Sequence, residues 1–214
     1  MKRASLFLGL LTLALIWAGP LLSAWRGSFA AHMLAHMGVV AIAAPLIAIG
    51  LSPIIKRGKP LASLSESRIL PLALIASLVE FVVVWGWHAP AARLWAESSV
   101  LATFLEQASF LLAGLFLWLT AIGSKGTPAR DAAGAFALLL TSVHMTLLGA
   151  LLSLAPRPLY GTGDVTCFGL VLGAGQDQAL GGVIMLMIGA VVYLAGGILL
   201  LARLLAGGTG ELAS

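Results

Sequence analysis

Residues 27–55 carry no Asp, Glu, Lys or Arg. That run alone exceeds the ~20 apolar residues a helix needs to cross a bilayer. Near its start stands His32-Met33-Leu34-Ala35-His36-Met37. Residues four apart share a helix face, so the two imidazoles lie one above the other, ~6 Å apart along the axis. The two methionines take the neighbouring face at the same spacing. An ionisable side chain at this depth costs roughly 2.5 kcal/mol or more unless it finds a partner. A neutral histidine is the cheapest such residue, because one hydrogen bond satisfies it. Methionine in an apolar helix most often fills gaps. The pair therefore reads either as ligands for a metal or haem iron, or as plain packing.

Composition fixes the class. Charged residues make up 9% and hydrophobic ones 60%, against roughly 25% charged in an average soluble domain. Mean hydropathy is +1.06. No soluble fold of this length hides so much apolar surface, and the alternating segments of a membrane barrel are absent. We expect an all-α polytopic bundle, one domain over residues 1–214, with about six spans near 4–25, 30–51, 69–87, 101–122, 131–154 and 178–205. The start, Met1-Lys2-Arg3 before an apolar run, also suits a signal peptide. The run is a full span, though, and Leu22 stands where cleavage after Ala24 needs a small residue. It reads as a retained helix that kinks or ends near Gly19-Pro20. Arg93, Trp95 and Glu97 fall in a short loop. Residues 155–176 form a long Pro- and Gly-rich connection whose part 167–172 is apolar enough to dip into the interface. Cys167 is the single cysteine, so no intrachain disulfide exists.

Orientation follows from Lys and Arg. With six spans and the N-terminus inside, nine basic residues lie inside (Lys2, Arg3, Lys56, Arg57, Lys59, Arg68, Lys125, Arg130, Arg203) and three outside (Arg26, Arg93, Arg157). Both termini are then cytoplasmic, as in a multi-pass protein of a bacterial inner membrane. The net charge of +4 belongs to this topology and gives no ground for nucleic-acid binding. On the same frame His32, His36, His88 and His144 all fall in the outer half of the membrane, and Met185 returns to that level. His32, His36 and His144 are expected to converge on one site, with His88 near. Met33, Met37, Met145 and Met185 are the candidate soft ligands, unless they merely pack. Imidazole suits zinc, copper and iron, and thioether selects Cu(I), so copper leads. Haem held by two histidines is the alternative.

Other polar residues are weaker signals. Glu80 lies near mid-membrane, as a proton relay or a helix-to-helix bond. Asp177 and Gln178 suit capping of the last helix, or acceptance of a hydrogen bond from a ligating histidine. Cys167 reads as an inert apolar residue. With no nucleophile–base set, phosphate loop or dinucleotide fingerprint, the chain is not expected to be an enzyme. Three classes remain: a copper-binding assembly factor, a haem-binding redox protein, and a copper or proton transporter.

The ordered motifs resemble one family. His32-Met33-x-x-His36-Met37, Trp87-His88-x-Pro90, the run from His144 through Leu148-Gly149-Ala150-Leu151-Leu152 to Ala155-Pro156-x-Pro158-Leu159-Tyr160, and Asp177-Gln178-x-Leu180-Gly181-Gly182-x-Ile184-Met185 are similar to the CtaG family. Its members are membrane factors needed to assemble caa3-type cytochrome c oxidase. The resemblance covers about residues 30–200. It implies a role in delivering copper to the oxidase or inserting it there, with oxidase subunits and the lipid bilayer as partners; a homo-oligomer stays open. It carries over His32, His36, His88, His144, Asp177 and Gln178. Two departures stand out: Leu186 where the family usually has Trp, and six spans where longer members have seven.

Overall fold

The computed structural model describes residues 2–57, 66–122 and 127–211. Helix α1 (Lys2–Ala18) ends where Gly19-Pro20 breaks the ladder, and turns fill the way to Ser28. Helix α2 (Phe29–Met37) runs through a π-helical stretch (Gly38–Ala43) into α3 (Ala44–Arg57). Together they form a span, Phe29–Pro53, with 67% of its core window buried, against 28–56% for the other spans. This is the central helix of the bundle. Its π-helical stretch lies just ahead of Pro45, whose ring clashes with the carbonyl four residues back. The Val40 carbonyl accepts from Trp118 Nε1 at 3.0 Å and Tyr193 Oη at 3.4 Å, so neighbouring helices repair the disturbed ladder.

Helix α4 (Glu66–Trp87) is followed by short α5 (Pro90–Ser98), then α6 (Val100–Ile122), α7 (Pro128–Ser153) and α8 (Ala174–Glu211). Among the described residues five helices are long and apolar enough to cross a membrane. At 17 residues α1 is shorter than the 4–25 expected, because it stops before Pro20. It still lies antiparallel along the central helix: a methyl on Gly50 would meet Leu6, and one on Gly38 would meet Ile16. Beside the five membrane-length helices, α1 thus adds a shorter helix that runs opposite to the central one. Its lipid-facing surface is apolar, with Leu112 and Val143 68% and 62% exposed, while Glu80 and His36 are fully buried. The protein is a multi-pass helical membrane protein.

Two connections differ from expectation. Arg93, Trp95 and Glu97 sit on α5, an amphipathic helix opened by Pro90, with Arg93 and Ala96 buried and Leu94 exposed. Part of the long connection is a hairpin, where no regular element was expected. Strands β1 (Asp164–Cys167) and β2 (Leu170–Gly173) pair antiparallel around Phe168-Gly169. Both turn residues have positive φ, 52° and 78°, as a type I′ turn demands. Phe168 packs on Trp25, ring centroids 4.4 Å apart. The expected basic-loop residues Gly58, Lys59 and Pro60 and the turn residues 123–126 lie outside the described residues.

Helices α7 and α8 share the tightest seam. A Cβ on Gly182 would stand 2.6 Å from the Ser153 nitrogen and 2.7 Å from the Gly149 carbonyl oxygen, so only glycine allows this approach.

Candidate metal centre

The start of α2 is set by a carboxylate from another helix. Ser28 caps α2 by accepting from the Ala31 amide at 3.2 Å. Asp177 of α8 in turn accepts from Ser28 Oγ at 2.7 Å and from the amides of Phe29 and Ala30 at 2.5 and 3.2 Å. These are amides that a helix start leaves unpaired, and a carboxylate there also suits the helix dipole. With α2 so anchored, His32 and His36 face inward one turn apart. Their rings are nearly parallel, centroids 6.4 Å apart.

The third imidazole comes from His88, just past the end of α4. Its centroid stands 5.6 Å from that of His32 and 5.3 Å from that of His36. Its Nδ1 lies 2.6 Å from the Val84 carbonyl, which can only accept; Nδ1 therefore carries the proton and Nε2 is free. Burial pulls this imidazole down to about 4, against the Val84 bond and with the Arg93 charge adding to the fall, so the ring is neutral at pH 7. Tyr160 holds the turn by donating to the His88 carbonyl at 2.6 Å. Phe110 packs 4.1 Å from His36, and Phe29 stacks on Tyr160 at 4.3 Å, closing the chamber.

All three imidazoles are buried, and four ring nitrogens, His32 Nε2, both of His36 and His88 Nε2, have no partner. Each such orphan costs about 1–3 kcal/mol. An ion held by imidazole at about 2.0–2.1 Å places ring centroids about 5.2–5.5 Å apart in tetrahedral or trigonal geometry. The observed 5.3 and 5.6 Å are close to that, and the 6.4 Å between His32 and His36 is wider. Among the described residues no three His, Cys, Asp or Glu donors already close on one point. Ligation therefore requires the rings to rotate, and the donor set otherwise fits.

Three charged or polar residues complete the chamber, and sequence reasoning passed over them as site members. Glu106 is the sole charge on α6. Its Oε2 lies 3.7 Å from His32 Nδ1 and accepts from Gln107 Nε2 at 3.4 Å, while Oε1 has no partner. A lone carboxylate in a 23-residue apolar helix was the available signal. Arg93 of α5 is 4% exposed, pairs with Glu97 at 3.0 Å and donates to the Arg26 carbonyl at 3.2 Å. Burial pulls the Arg93 guanidinium below its usual range, opposed first by Glu97 and then by Glu106.

The family model for the cytochrome c oxidase caa3 assembly factor matches residues 1–206. The chain belongs to that family. No curated protein and no solved structure matches it. Within this assembly factor, the remaining expected residues have other surroundings. His144 of α7 packs edge-on against Phe81, centroids 5.4 Å apart, and makes no ring contact with the three chamber histidines. Phe81 is seven residues before His88 on the same rising chain, so His144 sits ~10 Å deeper. The third chamber imidazole is His88, not His144.

The methionines face elsewhere too. A methyl on Gly181 would meet Met33, and one on Gly189 would meet Met37 and Met145, so these side chains pack on the glycines of α8. Adjacent residues on a helix point ~100° apart, which turns Met33 and Met37 away from the imidazoles. Met185 is fully buried. Asp177 caps α2 and touches no histidine among the described contacts. Gln178 bridges two backbone stretches, donating to Leu152 O at 3.0 Å and accepting from the Leu159 amide at 2.6 Å. Glu80 accepts from Tyr193 Oη at 2.7 Å, linking α4 to α8 beside the π-helical stretch. Cys167 is buried and unpaired.

Proposed function

We propose that this assembly factor holds copper on His32, His36 and His88 at the outer end of the bundle and passes it to the oxidase. The observation that carries this is the set of four orphaned ring nitrogens on three neighbouring buried imidazoles. Copper is cargo, so a site with three ligands and an open fourth position suits a carrier that must let go. The thioethers contribute packing, and selection for copper rests on imidazole and on the oxidase client. Side chains enclose the rings, with Phe110 4.1 Å from His36, which favours an ion over a porphyrin. The role we assign is binding and transfer without turnover, in line with the assembly-factor family. The excess of Lys and Arg at the other end of the bundle favours an outward-facing chamber in a bacterial inner membrane.

The test is an anaerobic Cu(I) titration of the purified full chain against a competing chelator. His36→Ala and His88→Ala should weaken binding beyond the roughly 10–100-fold that an outer hydrogen-bond partner costs. His144→Ala should bind as the parent does. A parent that binds no copper, or chamber variants that bind it equally, would overturn the proposal.

A further inference from the structure

Arg93 stands between two spaces. On the inner side it lines a narrow cavity with His32, Glu106, Arg26 and Thr103. On the outer side it lines a pocket of about 260 Å³ with Pro90, Glu97 and Tyr160. Its guanidinium is tied outward, to Glu97 and the Arg26 carbonyl, and its Nε has no partner. Across the inner cavity Glu106 offers an oxygen that nothing satisfies. A buried carboxyl group therefore faces a buried guanidinium, with Arg26 lining the same cavity and the imidazoles beside them.

A copper ion on those imidazoles would be a second cation in the same low-dielectric space, where like charges repel strongly and the shared anion matters most. We propose that Glu106 and Arg93 set how firmly the chamber holds its ion. Glu106 stabilises the loaded state by closing from 3.7 Å to accept a hydrogen bond from His32 Nδ1–H and by balancing the ion's charge. Arg93 destabilises it by competing for that carboxylate, and Glu97 restrains Arg93 by holding it outward. The arrangement gives a carrier a built-in means of release at its outer mouth. It rests on copper binding to the three histidines, as proposed above.

Cu(I) affinity and the rate of transfer to a chelator are to be measured on the full chain in detergent for the parent, E106Q, R93Q, R93K and E97Q. E106Q should bind roughly 10–100-fold more weakly, as for other partners of a ligating histidine. R93Q should bind more tightly and release more slowly, and R93K, which keeps the charge, should lie near the parent. E97Q frees Arg93 to turn inward, so it should bind more weakly and release faster. Glu97 is 28% exposed, so this variant remains informative if R93Q does not fold. A merely structural role for Arg93 would give losses in both R93Q and E97Q, not changes of opposite sign. If copper binds through His36 and His88 but R93Q is no tighter and E97Q no weaker, this inference fails alone. If the parent binds no copper, the underlying reading fails with it.

Discussion

Glu80 and Tyr193 show how a buried polar residue in this bundle can be structural. Their 2.7 Å bond joins α4 to α8, and Tyr193 also reaches the Val40 carbonyl beside the π-helical stretch. Tyr193→Phe should therefore cost about 1–3 kcal/mol, because it leaves a buried carboxyl oxygen unpaired. Thermal unfolding in detergent should register that loss, while Cu(I) affinity stays at the parental level. The chamber histidines differ in that four of their six ring nitrogens have no partner. At this scale the sequence was partly legible. Two histidines four apart must share a helix face, and that reading holds. Choosing a third ligand needed the rotation and depth of each helix, which no spacing on another helix supplies; hence His88 in place of His144. The methionines misled because neighbours in sequence diverge by about 100° on a helix. Glu106 was legible in principle, being the only charge on α6, yet it stands out only once His32 is seen beside it.

Among elements, the anchoring of α2 is the step on which the chamber geometry depends. Asp177 reaches from α8 to three donors at the α2 N-terminus. Asp177→Ala leaves those donors unpaired and should cost about 1–3 kcal/mol. It should also weaken Cu(I) binding, because His32 lies one turn from the loosened end. Asp177→Asn keeps an acceptor and should recover most of both. Stability and affinity measured together on the two variants check this; loss of stability with unchanged affinity would detach the cap from the site. Sequence reasoning saw Asp177 as capping chemistry but assigned it to its own helix, since a contact spanning 149 residues of chain leaves no local mark. The long helices were legible from their apolar runs. Helix α5 and the β1–β2 hairpin were not, because each is short and takes its shape from packing: Arg93 buried beneath α5, Phe168 seated on Trp25. The α7–α8 seam gives a further element-scale test. Gly182→Ala forces a methyl within 2.7 Å of backbone atoms and should cost about 1–3 kcal/mol by overpacking, read from thermal unfolding.

For the whole molecule, the decisive question is which face the chamber opens on. The helices run alternately between two ends, which places α5, the hairpin and the three chamber histidines at one end, and Thr127 at the other. Among the described residues Lys2, Arg3, Lys56, Arg57, Arg68, Arg130 and Arg203 belong to helices that reach the Thr127 end, against Arg26, Arg93 and Arg157 towards the other, so the Thr127 end should face the cytoplasm. Cysteines placed at Ser98 and Gly163, both exposed, should react with a membrane-impermeant maleimide on intact spheroplasts. A cysteine at Thr127 should react only after permeabilisation. The native Cys167 is 1% exposed and should give little background. The reverse pattern would put the chamber in the cytoplasm and change where its cargo comes from. Given the expected orientation, cells carrying His36→Ala or His88→Ala should keep the factor in the membrane at parental levels but assemble less active oxidase. Tyr193→Phe, which weakens the bundle without touching the chamber, should lower oxidase only in proportion to any loss of the factor itself. That proportionality separates a copper-handling role from a scaffold role, because a scaffold would tolerate an altered chamber and fail only when the bundle does.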